Sequence, residues 1–325
     1  MGSSTMGLVA ALTAVLLWST NAYAADLALG RMSVGWLLMV QYATAAVALL
    51  AICWAHRIRG ERRSSTPCSQ LIEPEVGRSQ PVGVLIGVVG LTGTIFLQYL
   101  AFATAPIVAA NVLAYAWPLL AAVWVAATRR SRAALFSAGL AVVGFGGVAL
   151  IFTSSSEASD AGTGGAATWG YLAALGSAAC MAVYTVGASR HAATTTTVLI
   201  PATITGTVAA AALTVLSNSP SPSGTGILAA VYIGLGPMAA GYALWTRAMA
   251  GGGAERLSPL GYATPLLSTV LLLATGAAAT TSTVTGVGLV LACSLGVLVQ
   301  DRYAEPARTG SDGGVRAGSR DGGRS

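Results

Sequence analysis

The sequence has no lysine and little charge of any kind. Charged residues make up 9% of its 325 positions, hydrophobic residues 54%, and mean hydropathy is +0.71. A soluble protein carries roughly 25% charged residues. Nine per cent cannot coat a water-exposed surface, so a soluble enzyme is excluded. The same hydrophobicity excludes an intrinsically disordered chain. Histidine is nearly absent: His56 and His191 both sit beside Arg at the ends of apolar runs. The four cysteines form no CxxC pair, so neither a zinc site nor a disulfide framework is expected. There is no HExxH, GxSxG or P-loop. Gly144-Phe145-Gly146 with Ala149 mimics a dinucleotide fingerprint, but it lies in an apolar run with no strand before it. No catalytic residue, metal site or cofactor is expected.

What the sequence has instead is long apolar runs. A helix needs about 20 mostly apolar residues to cross a bilayer. Ten runs qualify, at about 8–25, 34–54, 82–103, 107–127, 134–152, 168–188, 196–216, 225–245, 257–276 and 284–300. Backbone groups must be satisfied inside lipid, so the runs are read as helices. Gly83, Gly87 and Gly90 make a smooth face for close helix approach. Ala22-Tyr23-Ala24 resembles a signal-peptidase site, but no Lys or Arg precedes the run and no cleavage is expected.

The arginines give the orientation. With both termini in the cytoplasm and ten alternating spans, sixteen of the seventeen Arg fall on the inside and only Arg31 faces out. That is a positive-inside pattern. It accounts for the net charge of +6 without a nucleic-acid partner. The segment 301–325, rich in Gly, Arg and Ser, is expected to be a disordered cytoplasmic tail. The sequence leaves the oligomeric state open.

The runs also repeat. NVLAYAWPLL at 111–120 matches SPLGYATPLL at 258–267, with Tyr115 and Pro118 against Tyr262 and Pro265, an offset of 147. Tyr99 and Phe102 match Tyr242 and Trp245 at an offset of 143, and Gly7 aligns with Gly170. The chain thus reads as two five-helix halves, 7–152 and 168–300. An odd number of spans per half inverts one against the other. Such repeats are a frequent feature of secondary transporters, with the site at the repeat interface near the midplane. Pro118 and Pro265 are expected as matched bends inside the fourth helix of each half.

Polar and aromatic residues in the spans are the candidates for contact with a substrate. Asn21, Gln98 and Asn111 are polar candidates, with Thr20, Gln41 and Ser258 also considered. Trp18, Tyr99, Tyr115, Trp117, Tyr184, Tyr242, Trp245 and Tyr262 offer flat apolar surface with polar tips. Asn111, Tyr115 and Pro118 are expected on one helical face. Asp26 and Arg247 stand at run ends, and no acid lies mid-run. Pumps commonly use an embedded carboxylate as a proton relay. Transport driven by the substrate's own gradient, or exchange, is therefore expected.

Three stretches carry a family resemblance: LLWST at 16–20, FLQYLAFATAPIVAANVLAYAWPLL at 96–120 and GYALWTRAMAGGGAERLSPLGYATPLLS at 241–268. With them the chain resembles the drug/metabolite transporter superfamily, EamA type. The Tyr-x-Trp-Pro-Leu-Leu run at 115–120 and the aromatic pairs at 242–245 and 262–265 are similar to its aromatic amino acid exporter branch. Ala114 departs from the polar residue usual in that branch. The resemblance implies an all-α integral membrane protein of ten transmembrane helices in two inverted repeats. It implies a small-molecule substrate, exported by alternating access across the cell membrane, with aromatic or large apolar amino acids foremost. The alternative it implies is drug or metabolite efflux, or uptake, with ion coupling.

Overall fold

The computed structural model describes residues 3–58, 81–128, 135–136, 139–147, 150, 164–184, 195–249, 260, 263–277 and 279–304. Among these residues there is no strand. In chain order the helices are α1 (Ser3–Ser19), α2 (Asn21–Leu29), α3 (Val34–Ile58), α4 (Pro81–Thr104), α5 (Ile107–Ala114) and α6 (Trp117–Thr128). There follow α7 (Gly164–Val183), α8 (Thr195–Leu216), α9 (Gly224–Ile233), the π-helical α10 (Gly234–Gly241), α11 (Tyr242–Met249), α12 (Ala263–Ala274) and α13 (Thr281–Ala304). A further helical stretch covers 139–147.

Among the described residues, six stretches are long and apolar enough to cross a membrane: Thr5–Leu29, Val34–Ala55, Pro81–Thr104, Gly165–Val183, Val198–Leu216 and Gly224–Trp245. The protein is therefore an all-helical, multi-pass membrane protein. Ala263–Ala274 and Thr281–Cys293 are apolar but shorter. The run expected at 107–127 is not one helix. It breaks at Tyr115 and Ala116, and Tyr115 closes α5 with φ −83° and ψ 4°. The break falls just before Pro118, whose ring would clash with the Ala114 carbonyl in an unbroken helix. Pro118 is the second residue of α6, where a missing N–H leaves no helical bond unmade. Pro265, third in α12, is likewise in a first turn. Tyr115 and Pro118 therefore do not share one continuous helical face. Helix α13 runs to Ala304, four residues into the segment expected as tail, and 305–325 lie outside the described residues.

Local chemistry sets several helix limits. Ser223 caps α9 by accepting from the Gly226 N–H at 3.3 Å. Gly276 follows α12 with φ +92°, a left-handed conformation that glycine takes without Cβ strain. Thr20 interrupts the first span. Its hydroxyl donates to the Leu17 carbonyl at 2.8 Å and pairs with the Tyr232 hydroxyl at 2.6 Å. The backbone ladder nearly persists, through Thr20 N–H to Leu16 and Ala24 N–H to Thr20, so α1 and α2 act as one span. Ala22 and Ala24, at the apparent cleavage site, are buried in α2.

Helix α4 packs on α7, α3 on α8, and α1 on α10, α11 and α12. Helix α2 packs on α9, α5 on α7 and α12, and α6 on α7 and α13. The glycine face of α4 is used as its spacing suggests. A Cβ on Gly87 would strike Val198 of α8, and one on Gly90 would lie 3.0 Å from the Tyr184 Cβ. Gly144, in the apparent dinucleotide motif, instead meets Leu119 and Cys293. One cysteine corrects the sequence reading: Cys53 is disulfide-bonded, its partner lying outside the described residues. A cystine needs only two Cα atoms within about 4.4–6.8 Å, which spacing along the chain does not reveal.

Candidate functional site

The site is built where the ends of α1, α4, α5 and α10–α12 converge. Trp18 is near the end of α1. Its indole N–H donates to the Pro237 carbonyl of α10 at 2.9 Å. Its ring lies 5.3 Å from that of Tyr242, edge-on, and 5.2 Å from that of Trp245. Gly241 makes the approach possible, since a Cβ there would stand 2.7 Å from the indole nitrogen. Pro237 cannot supply a helical N–H, and α10 winds as a π-helix around it. π-Segments of this kind frequently occur at functional sites.

Asn21, at the start of α2, accepts a hydrogen bond from the Tyr99 hydroxyl at 2.7 Å. Tyr99 packs against Phe102 with ring centroids 5.6 Å apart. The phenols of Tyr42, Tyr99, Tyr115, Tyr184 and Tyr242 form one cluster, each within electrostatic reach of another. Four of the five were expected from the sequence. Tyr42 was not. It lies inside an apolar run without a repeat counterpart, and its hydroxyl donates to the Thr92 carbonyl at 3.4 Å.

Asn111 is buried in α5, and its amide donates to the Ser268 hydroxyl of α12 at 3.2 Å. Ser19, also buried, donates to Val15 at 2.7 Å and reaches the Thr264 carbonyl at 3.5 Å. Thr264 and Ser268 are each 1% exposed. The hydroxyls of Thr264 and Thr269 and the Gln41 side-chain oxygen are buried without a hydrogen-bond partner. The sequence reading passed over Thr264, Ser268 and Thr269, since threonine and serine are common in every run. Gln98 and Trp117 are half-buried, Gln98 one position before Tyr99 and Trp117 opening α6. Tyr262 and Ser258 lie outside the described residues. Among the described residues, no three His, Cys, Asp or Glu side chains gather as a metal set.

Two hydrogen bonds end on carbonyls at matching positions. Trp18 of α1 donates to the carbonyl of residue 237, and Ser177 of α7 donates to the carbonyl of Thr94 at 2.7 Å. Residues 94 and 237 are related by the same offset of 143 that relates Tyr99 to Tyr242.

The model of the EamA-like transporter family matches residues 5–153 and again residues 168–299. The chain belongs to that family. An aromatic amino acid exporter, YddG of Ancylobacter novellus, is 32% identical over 286 residues, spanning 87% of this chain and 91% of that protein. A solved crystal structure 28% identical in sequence superposes with a TM-score of 0.58 and covers 90% of this chain and 96% of its own. As an EamA-like transporter the protein carries a small molecule across the membrane.

Proposed function

We propose that this transporter exports aromatic or large apolar amino acids from the cytoplasm, by alternating access and without ion coupling. The observation that carries the reading is the central cluster itself. Phenols and indoles from α1, α3, α4 and α11, with Tyr115 and Tyr184 at the ends of α5 and α7, meet amides and hydroxyls, and every partner described above is neutral. Flat aromatic faces suit a planar apolar side chain. Neutral hydroxyls and carbonyls suit the head of a zwitterion. The kinship with the Ancylobacter exporter supports the same substrate class.

The architecture in this reading is ten transmembrane helices in two inverted five-helix repeats, 7–152 and 168–300. Both termini are cytoplasmic and the bundle sits in the cell membrane. The double family match supports it. So does the pairing of helices: α4 on α7 answers α1 on α10 and α11, while α5 on α7 answers α12 on α1. Exchanging the halves exchanges these contacts. The matched bonds to the carbonyls of Thr94 and Pro237 follow the same exchange.

Efflux from preloaded proteoliposomes tests the function. Labelled phenylalanine and tryptophan are expected to leave without any ion gradient, ahead of threonine and a cationic dye. Dye flux that appears only under a pH gradient would overturn the reading in favour of drug antiport.

A further inference from the structure

Two of the spans are interrupted side by side. The span Thr5–Leu29 breaks at Thr20, between α1 and α2, and the span Gly224–Trp245 winds as a π-helix between α9 and α11. Two side-chain bonds tie the interruptions together. The Trp18 indole, just before the first, donates to the Pro237 carbonyl inside the second. The Tyr232 hydroxyl, just before the second, lies 2.6 Å from the Thr20 hydroxyl. The Thr20 proton is engaged by the Leu17 carbonyl at 2.8 Å, so the phenol is the donor. Packing divides at the same level: α2 packs on α9, while α1 packs on α10 and α11.

Inside lipid a break survives only where side chains or a local π-turn satisfy the freed backbone groups. Here the Thr20 hydroxyl takes the Leu17 carbonyl and the Trp18 indole takes that of Pro237. Thr20 keeps φ −82° and ψ −9°, so the joint is unstrained. The bundle itself does not demand the second interruption. Helix α4 is the repeat counterpart of α9–α11 at the offset of 143, and it runs unbroken from Pro81 to Thr104. It carries Thr94 where α10 carries Pro237, and the Thr94 hydroxyl bonds back to the Gly90 carbonyl at 2.7 Å. Proline cannot donate to the helical ladder, so this one difference separates the continuous helix from the interrupted one. Helix α3 holds the interruption in place, against Gly234, where a Cβ would lie 2.5 Å from the Gln41 carbonyl oxygen.

We propose that the Thr20 break and the π-helix Gly234–Gly241 form one two-stranded hinge, about which α2 and α9 swing together. In the topology given above these are the outer halves of their spans, and the inference rests on that alternating-access reading. Hinges absorb a conformational change at a few residues at the ends of elements. Trp18 belongs to the hinge through Pro237 and to the aromatic cluster through Tyr242 and Trp245. A molecule that displaces its ring therefore bears directly on the pivot.

Spin-label distances in the full-length purified protein, held in lipid nanodiscs, test this. Cys180→Ala and Cys293→Ala remove the two free thiols among the described residues. A label at Val89→Cys on unbroken α4 is paired in turn with Leu27→Cys on α2, Leu228→Cys on α9 and Leu16→Cys on α1, all at exposed positions. The Leu27 and Leu228 pairs are each expected to show two distances, in matching proportions, and the Leu16 pair one. Pro237→Thr gives α10 the residue that α4 carries and restores the missing N–H. It should collapse both outer pairs to one distance, with Tm unchanged or raised, and slow phenylalanine efflux from proteoliposomes at least tenfold. Tyr232→Phe removes the tie at an exposed position and should leave the two outer pairs with unequal proportions; it decides the matter if Pro237→Thr fails to fold. A single distance for every pair in the native chain overturns the hinge, and so do two distances that neither variant alters. A native chain that moves no phenylalanine overturns the amino-acid reading instead, and the distances still judge the hinge.

Discussion

The indole of Trp18 donates to the carbonyl of Pro237, 219 positions further along the chain, at 2.9 Å. The bond ties the end of α1 to the middle of a π-helix and holds the Trp18 ring against Tyr242 and Trp245. Trp18→Phe keeps an aromatic ring and removes the donor. Loss of one such bond is expected to cost about 0.5–1.5 kcal/mol. Thermal unfolding in a fixed detergent measures it, and an unchanged Tm would show that the bond adds nothing to stability.

Asn21 and Tyr99 form a side-chain pair between α2 and α4, at 2.7 Å. Asn21→Ala and Tyr99→Phe are each expected to destabilise, and the double variant by less than the sum. A double-mutant cycle should give a coupling of about 1 kcal/mol. Additivity within about 0.3 kcal/mol would refute the pairing.

Gly234 opens α10 where α3 passes closest. A Cβ there would lie 2.5 Å from the Gln41 carbonyl oxygen and would strike the Thr44 hydroxyl. Backbone cannot yield as a flexible side chain can. Gly234→Ala is expected to cost about 1–3 kcal/mol or more. Gly139 has open space where a Cβ would go, and Gly139→Ala should be neutral or stabilising by up to about 1 kcal/mol. Equal Tm changes in the two variants would contradict the packing of α3 on α10.

Thr269 is 6% exposed and its hydroxyl has no partner. Thr269→Val keeps the shape and removes the unpaired group. A gain of about 1 kcal/mol is expected, read as a rise in Tm. A fall would mean that the hydroxyl is satisfied in the membrane.

A reporter enzyme fused after Ser325 is expected to be active only on the cytoplasmic side. Activity confined to the outside would overturn the ten-span topology, since the five arginines of segment 301–325 would then face outward.

Much of the fold was legible in the sequence because lipid imposes a local rule. Length and hydropathy announce a span, so apolar runs were readable one at a time. Repeat spacing singled out Tyr99, Tyr115 and Tyr242 before any contact was known. What the tertiary structure decided depends on residues far apart in the chain. The bonds Tyr99–Asn21, Asn111–Ser268 and Trp18–Pro237 join positions 78, 157 and 219 apart, and no local pattern encodes such pairs. The helix breaks at Tyr115 and Ala116, just ahead of Pro118, because a proline disturbs the turn that precedes it. Thr264 looked like any other threonine. Only the packing around it leaves its hydroxyl buried and unpaired.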